Sequence, residues 1–108
     1  MKQLISALIM LTASFTAIAN DDKKPLTSGF NHVGLTVSNL EKSASFFTDT
    51  LQWKLVGGDE KYPAKFVSDG KMFLTLWQTK NPKKTVSFNR KNNVGLHHLA
   101  FTVETLDG

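Results

Sequence analysis

Residues 30–37 read FNHVGLTV, and a related stretch, LHHLAFTV, returns at residues 96–103. Both stretches alternate between apolar residues and small or polar ones, with β-branched and aromatic side chains at the apolar places, which predicts two strands. Successive side chains of a strand point to opposite faces of its sheet. The repeat therefore places one histidine near the start of each strand, His32 and His98, on the face that carries the small and polar residues.

The residues after the first strand predict a helix and three further strands, in the order βαβββ. Ser38 and Glu41 form a capping-box pattern, and an apolar stripe at helical spacing predicts a helix over residues 39–51 that packs on the apolar face of the first strand. The other strands are expected at residues 53–56, 64–68 and 71–78. We expect a glycine pair to end the first of these, and Asp69-Gly70 to form a two-residue type I′ turn between the other two.

Residues 1–19 have the features of a secretory signal peptide. Lys2 precedes an apolar run, and the small-residue triplet Ala-Ile-Ala ends at Ala19. The run is short for a membrane span and is diluted by serine and threonine, which disfavours a stable membrane anchor. The sequence therefore predicts export, to the periplasm or by secretion, with a flexible leader over residues 20–28 and one domain over residues 29–108.

Composition limits the function classes that the chain can serve. A length of 108 residues allows one small domain, and the absence of cysteine excludes disulfides, thiolate nucleophiles and cysteine-ligated zinc. The net charge is +4, and basic residues cluster within residues 80–91. A solvated loop is the favoured interpretation of that cluster, and an anion-binding surface is the alternative. Because the basic residues do not lie on a regular scaffold with interleaved aromatics, nucleic-acid binding is not expected.

Two stretches carry a resemblance to a known family. HVGLTVSNLEKSASFFTDTLQWKL, at residues 32–55, and HHLAFTVETLDG, at residues 97–108, resemble the vicinal oxygen chelate superfamily, which includes glyoxalase I, extradiol dioxygenases and bleomycin-resistance proteins. The resemblance implies an α+β fold in which two βαβββ modules form a cupped sheet around a site. Here one complete module of the glyoxalase/bleomycin-resistance type would be followed by the first strand of a second, truncated module.

The resemblance also implies candidate site residues. Metal-binding members place a histidine on the first strand and a glutamate on the fourth strand of each module. On this pattern His32 and His98 are the candidate ligands of a divalent metal, and imidazole suits zinc, nickel or iron. The glutamate position of the first module falls on Thr75, a poor ligand. Phe73, Thr75 and Trp77 share one face of their predicted strand and are the candidate substrate-binding residues, although the two aromatic side chains could instead pack in the core.

Two function classes remain open on the sequence. One is an exported glyoxalase-like or dioxygenase-like metalloenzyme, a lyase or an oxidoreductase, if a second module is supplied. The other is a metal-free module that sequesters a small aromatic or amphipathic molecule, as resistance members of the family do; the threonine at the glutamate position favours it. The uncovered sheet face and the unpaired second repeat predict either a piece of a longer chain, which is favoured, or a homodimer in which another copy completes the fold.

Overall fold

The structure is a computed structural model that describes residues 22–107. The chain divides into two units, Met1–Phe30 and Asn31–Gly108. In the first unit the described residues, 22–30, are exposed and form no helix or strand. The predicted signal peptide, residues 1–19, lies outside the described residues. Within residues 22–107, every helix is too short or too polar to cross a membrane.

The second unit has the βαβββ order that the sequence predicts, so the α+β fold class is confirmed. The elements are β1 (His32–Val37), α1 (Leu40–Ser45), β2 (Lys54–Asp59), β3 (Ala64–Ser68) and β4 (Phe73–Gln78). A π-helical segment, Phe46–Thr50, continues α1, and a single 3-10 turn, Pro82–Lys84, follows β4.

The four strands form one mixed sheet in the order β1-β4-β3-β2. β1 pairs with β4 in parallel, and the β4–β3 and β3–β2 pairs are antiparallel. A parallel pair needs a long crossover connection, which α1, β2 and β3 supply. β1 and β2 are therefore the edge strands.

One face of the sheet holds the core, because α1 packs on it. Its buried members come from the helix, β3 and β4, and are Leu40, Ala44, Val67, Leu74 and Leu76. The apolar residues of β1 are partly buried against this cluster, as the alternation of the strand predicts. The side chain of Gln78 ties the helix start to the end of β4. It accepts a hydrogen bond from the Leu40 amide and donates one to the Ser38 carbonyl, both at 2.9 Å.

The helix begins and ends differently from the prediction. Its N-cap is Asn39 and not Ser38: Asn39 has extended backbone angles and its side chain accepts a hydrogen bond from the Lys42 amide at 3.0 Å. The last turns widen, so the Leu51 amide donates to the Phe46 carbonyl five residues earlier, at 3.2 Å. The predicted extent of the helix, 39–51, nevertheless agrees with the structure to about one residue at each end.

The expected stop in β2 was wrong. The strand continues through Gly57 and Gly58 to Asp59, with a bulge between Leu55 and Gly57. At Gly58 a Cβ atom would lie 2.6 Å from the carbonyl oxygen of Ala64 on the neighbouring strand. The glycine pair is therefore a place of close strand approach and not a strand terminator.

The turn between β3 and β4 was also predicted incorrectly. A type I′ turn needs positive φ at both central residues, whereas Gly70 alone has a positive φ there, +96°. The carboxylate of Asp69 instead accepts hydrogen bonds from the amides of Lys71 and Met72, at 2.8 and 3.0 Å. This side-chain turn lengthens the connection, so β4 begins at Phe73 and not at Lys71.

The second repeat, residues 96–103, is not a strand in the structure. Its apolar side chains still find partners: Leu99 packs against the core, and the ring of Phe101 lies 5.1 Å from that of Trp53 and 6.4 Å from that of Phe47. The repeat does alternate like a strand, but a strand also needs a neighbouring strand whose backbone can pair with its amides and carbonyls. The described residues offer this segment no such neighbour, which explains why the prediction failed here.

Candidate functional site

The face of the sheet opposite α1 carries the predicted substrate-binding residues. The register of the parallel pair sets His32 beside Phe73, Gly34 beside Thr75 and Thr36 beside Trp77. Because paired residues point to the same face, these six positions form one surface. The three positions on β1 are exposed, so this surface, the open face, is accessible from the β1 side.

Five rings lie in sequence across the open face, and we call them the ring row. The ring centroids are 4.8 Å apart for His32 and Phe73, 6.4 Å for Phe73 and Phe66, 5.9 Å for Phe66 and Trp77, and 5.2 Å for Trp77 and Tyr62. The first pair is nearly parallel, with 16° between the ring planes. The row draws on β1, β3, β4 and the turn before β3, so it exists only in the assembled sheet.

Thr75 lies within this row and is 7% exposed. Its hydroxyl oxygen accepts a hydrogen bond from the indole nitrogen of Trp77, Nε1, at 2.9 Å. The neighbouring residue on β1 is Gly34, where a Cβ would stand only 3.0 Å from that oxygen. The glycine therefore leaves space for the hydroxyl, and the hydrogen bond fixes the orientation of the indole ring.

The two candidate metal ligands have different surroundings. The imidazole of His32 stacks on Phe73 and, in the tautomer with its proton on Nδ1, donates to the side-chain oxygen of Asn31 at 2.7 Å. His98 lies in the irregular second repeat, where its Nδ1 is 2.9 Å from Nδ1 of His97. One of those two nitrogens donates a proton to the other.

The donor atoms of these residues fit a metal incompletely. Catalytic zinc sites usually have three protein ligands and one water. The candidate residues supply two imidazoles, and the third position holds the Thr75 hydroxyl, which already accepts a hydrogen bond from Trp77. Among the candidate residues, the two imidazoles are therefore fewer ligands than a three-ligand site needs.

Two members of the ring row, Phe66 and Tyr62, were missed in the sequence. Phe66 shares its strand face with Ala64 and Ser68, two residues away on each side, so the alternation of the sequence could have predicted its face. The pairing of Phe66 with Thr75 could not be predicted from the sequence. That register depends on the turn at Asp69, for which the sequence predicted the wrong turn type. Tyr62 lies in a turn, where no strand alternation predicts the face.

The chain is similar to known proteins in its sequence and in its fold. A family model described as Glyoxalase/Bleomycin resistance protein/Dioxygenase superfamily matches residues 29–108. Among solved structures, the chain is similar to an integron cassette protein from the mobile metagenome of the Halifax Harbour sewage outfall, with 26% identity and a TM-score of 0.47. That similarity covers 51% of this chain and 49% of the cassette protein, so it spans about half of the other chain. A search of curated proteins found no significant match.

Proposed function

This chain belongs to the glyoxalase/bleomycin resistance protein/dioxygenase superfamily, and we propose that it is a binding module that holds a small, flat aromatic molecule on its open face. The observation that carries the proposal is the ring row, which runs across four structural elements.

The chemistry of the open face supports a flat ligand. Aromatic pairs prefer offset-stacked or edge-to-face contacts, worth about 0.5–1.5 kcal/mol beyond the area that they bury. Trp77, Phe73 and Phe66 are each only half-buried, so part of each ring remains available for such contacts. An exposed apolar surface of this kind on a small domain typically marks a binding site.

Thr75 supports binding over catalysis. A carboxylate at this position would supply a metal ligand or a base, whereas a threonine hydroxyl supplies one hydrogen bond to an uncharged ligand group. Its oxygen accepts from Trp77, and its own proton can still be donated. A flat molecule with a hydroxyl or carbonyl substituent would therefore complement this position.

Nuclear magnetic resonance tests the proposal with a matched pair of probes. The chain has two tryptophans, so it gives two indole N–H signals. On adding 2-naphthol we expect the Trp77 signal to shift, because its ring belongs to the row. The Trp53 signal should stay in place, since that ring lies on the helix side with Phe47 and Phe101. Decahydro-2-naphthol, which keeps the carbon skeleton and hydroxyl but is not flat, should shift neither.

A substitution pair then measures the contribution of the row. Replacing Trp77→Leu should weaken 2-naphthol binding about 2- to 13-fold, the change equivalent to one lost aromatic contact. The matched control is Phe46→Leu, which also exchanges an aromatic ring for leucine but lies on the helix, 51% exposed. The proposal would be refuted if decahydro-2-naphthol bound as tightly as 2-naphthol. It would also be refuted if Trp77→Leu and Phe46→Leu weakened 2-naphthol binding equally.

A second candidate function is weak binding of a divalent metal by His32 and His98. It is supported by the exposure of His32 on the open face and by the matched places of the two histidines in the repeat. Calorimetry with nickel or zinc at neutral pH should then give micromolar or weaker affinity, lost in both His32→Ala and His98→Ala. Thr75→Glu should strengthen binding by adding a carboxylate ligand. Unchanged binding in both histidine variants would leave the metal-free module as the function.

We also propose that the protein is exported, on the strength of the signal-peptide features of residues 1–19. Mass spectrometry of the periplasmic and secreted fractions should find a chain that has lost its first 19 residues, cut after Ala19. Recovery of the chain only in the cytoplasm with Met1 still present would contradict this.

A further inference from the structure

The chain between β4 and the second repeat folds back on itself and forms an open cleft. The cleft has a volume of about 590 Å³ and is lined by Ser87, Phe88, Asn89, Arg90, Lys91 and His97. None of these residues belongs to the ring row. We call it the basic cleft.

The residues that line the basic cleft include two cations and no carboxylate. Between Asp69 and Glu104 the sequence contains six lysines and arginines and no acidic residue. In the part of the chain that the structure describes, the ion pair present joins Lys65 to Glu41, outside the cleft. Arg90 and Lys91 therefore raise the local positive potential without a carboxylate partner among the cleft residues, which attracts anions.

The loop that carries these cations is held by asparagine side chains. The side-chain oxygen of Asn89 accepts hydrogen bonds from the amides of Lys91 and Asn92, at 3.0 and 3.3 Å. The side-chain oxygen of Asn93 accepts from the Asn89 amide at 2.8 Å, and the Asn93 amide donates to the Asn89 carbonyl at 2.8 Å. The loop is thus shaped by uncharged groups, so its shape does not depend on the guanidinium and ammonium groups.

An apolar surface lies beside the cations. The ring of Phe88 lines the cleft and is 46% exposed. Gly95 passes so close that a Cβ on it would be 3.2 Å from Cε2 of that ring. This close approach, which only glycine makes without displacing the ring, lets the returning chain bring His97 to the cleft.

We propose that the basic cleft binds a small organic anion, with the anionic group held by Arg90 and Lys91 and an apolar group packed on Phe88. Guanidinium groups bind phosphate and carboxylate through paired hydrogen bonds, and the ammonium adds a compact positive charge. The apolar group distinguishes the ligand from an inorganic ion. This site is separate from the open face, so its ligand is a second one and does not depend on the aromatic binding proposed above.

Titrations followed by backbone amide shifts test the proposal on the full chain. Phenyl phosphate should shift the amides of residues 87–97 and bind there more tightly than inorganic phosphate, and phenol, which has no anionic group, should leave these amides unshifted. Arg90→Gln together with Lys91→Gln should weaken phenyl phosphate binding at least 10-fold. The matched control is Lys23→Gln with Lys24→Gln. It removes the same charge from two exposed lysines near the start of the chain and should leave the affinity unchanged.

Phe88→Ala separates the apolar contact from the charge. It should reduce phenyl phosphate binding to the level of inorganic phosphate and leave the inorganic ion unaffected. The proposal is overturned if both double variants weaken binding equally, because that result would indicate a general charge effect. It is equally overturned if phenyl phosphate does not bind while vesicles of phosphatidylglycerol do, since the basic residues would then serve a lipid surface.

Discussion

Removing the hydroxyl of Thr75 tests whether the site on the open face is organised as the structure indicates. Thr75→Val keeps the shape of the side chain but deletes the oxygen that accepts from Nε1 of Trp77 at 2.9 Å. A hydrogen bond in a protein contributes about 0.5–1.5 kcal/mol net. Because the threonine is 7% exposed and the indole is half-buried, water replaces the lost acceptor only in part. We therefore expect a loss of about 1 kcal/mol in the free energy of unfolding.

A double-mutant cycle isolates the interaction from other effects of the substitutions. The four proteins are the parent, Thr75→Val, Trp77→Phe and the double variant, compared by urea unfolding. The coupling free energy should be about 1 kcal/mol, which in a domain of this size corresponds to about 4–8 °C in Tm. Thr36→Val is the matched control, since Thr36 is exposed on the same face, and it should change stability by no more than about 0.5 kcal/mol.

Additivity of the two substitutions to within about 0.3 kcal/mol, the range seen for sites that do not interact, would contradict a hydrogen bond between Thr75 and Trp77. An indole N–H signal of Trp77 that does not move in Thr75→Val would contradict it as well, because a hydrogen-bonded indole proton must respond to the loss of its acceptor. Either result would mean that the indole ring is oriented by packing alone.

Three further predictions concern the scaffold. Leu74→Ala should lower the free energy of unfolding by about 2–5 kcal/mol, because Leu74 is fully buried. Leu55 is 58% exposed, so Leu55→Ala should change that free energy little, and urea unfolding compares the two variants. The Asp69 carboxylate accepts backbone hydrogen bonds that hold its pKa below the usual 3.8, so its contribution to stability is present above that pH and is lost as the pH falls through the lowered value. Asp69→Asn should consequently lose less stability than the parent between pH 5 and pH 2, which urea midpoints at each pH would show, and a parallel decline would exclude this role. Analytical ultracentrifugation of residues 20–108 should show a dimer or larger species, since the second repeat has no strand beside it among the described residues, and a stable monomer would contradict this.

The sequence predicted the sheet face of each residue better than it predicted where strands end. In β1 and β4 the alternation is regular, so period-two geometry alone separates the face of His32 and Thr75 from the core face. Strand ends depend on contacts between strands. A sequence rule considers only the neighbours of Gly58 along the chain, and on that basis the strand was expected to end there. The residue that Gly58 approaches closely, Ala64, lies on another strand.

The candidate site was predicted only in part, for a related reason. Phe73, Thr75 and Trp77 sit on one strand, so their common face follows from local spacing. Phe66 joins them through the register of a hairpin whose turn is shaped by the side chain of Asp69, a tertiary detail without a distinctive residue pair. His98 depends on a segment that alternates like a strand but has no strand beside it in the described residues, and local pattern carries no information about a neighbour.

The position of β1 has a consequence for how ligand and fold depend on each other. β1 is an edge strand, and its one neighbour, β4, comes after the helix, β2 and β3 in the chain. Long-range pairings of this kind form late and open early. Because the ring row begins with His32 on β1 and continues with Phe73 on β4, a ligand that touches both rings must slow the release of the edge strand. Amide hydrogen exchange of β1 would then slow by the factor 1 + [L]/Kd, so this strand alone could report ligand occupancy.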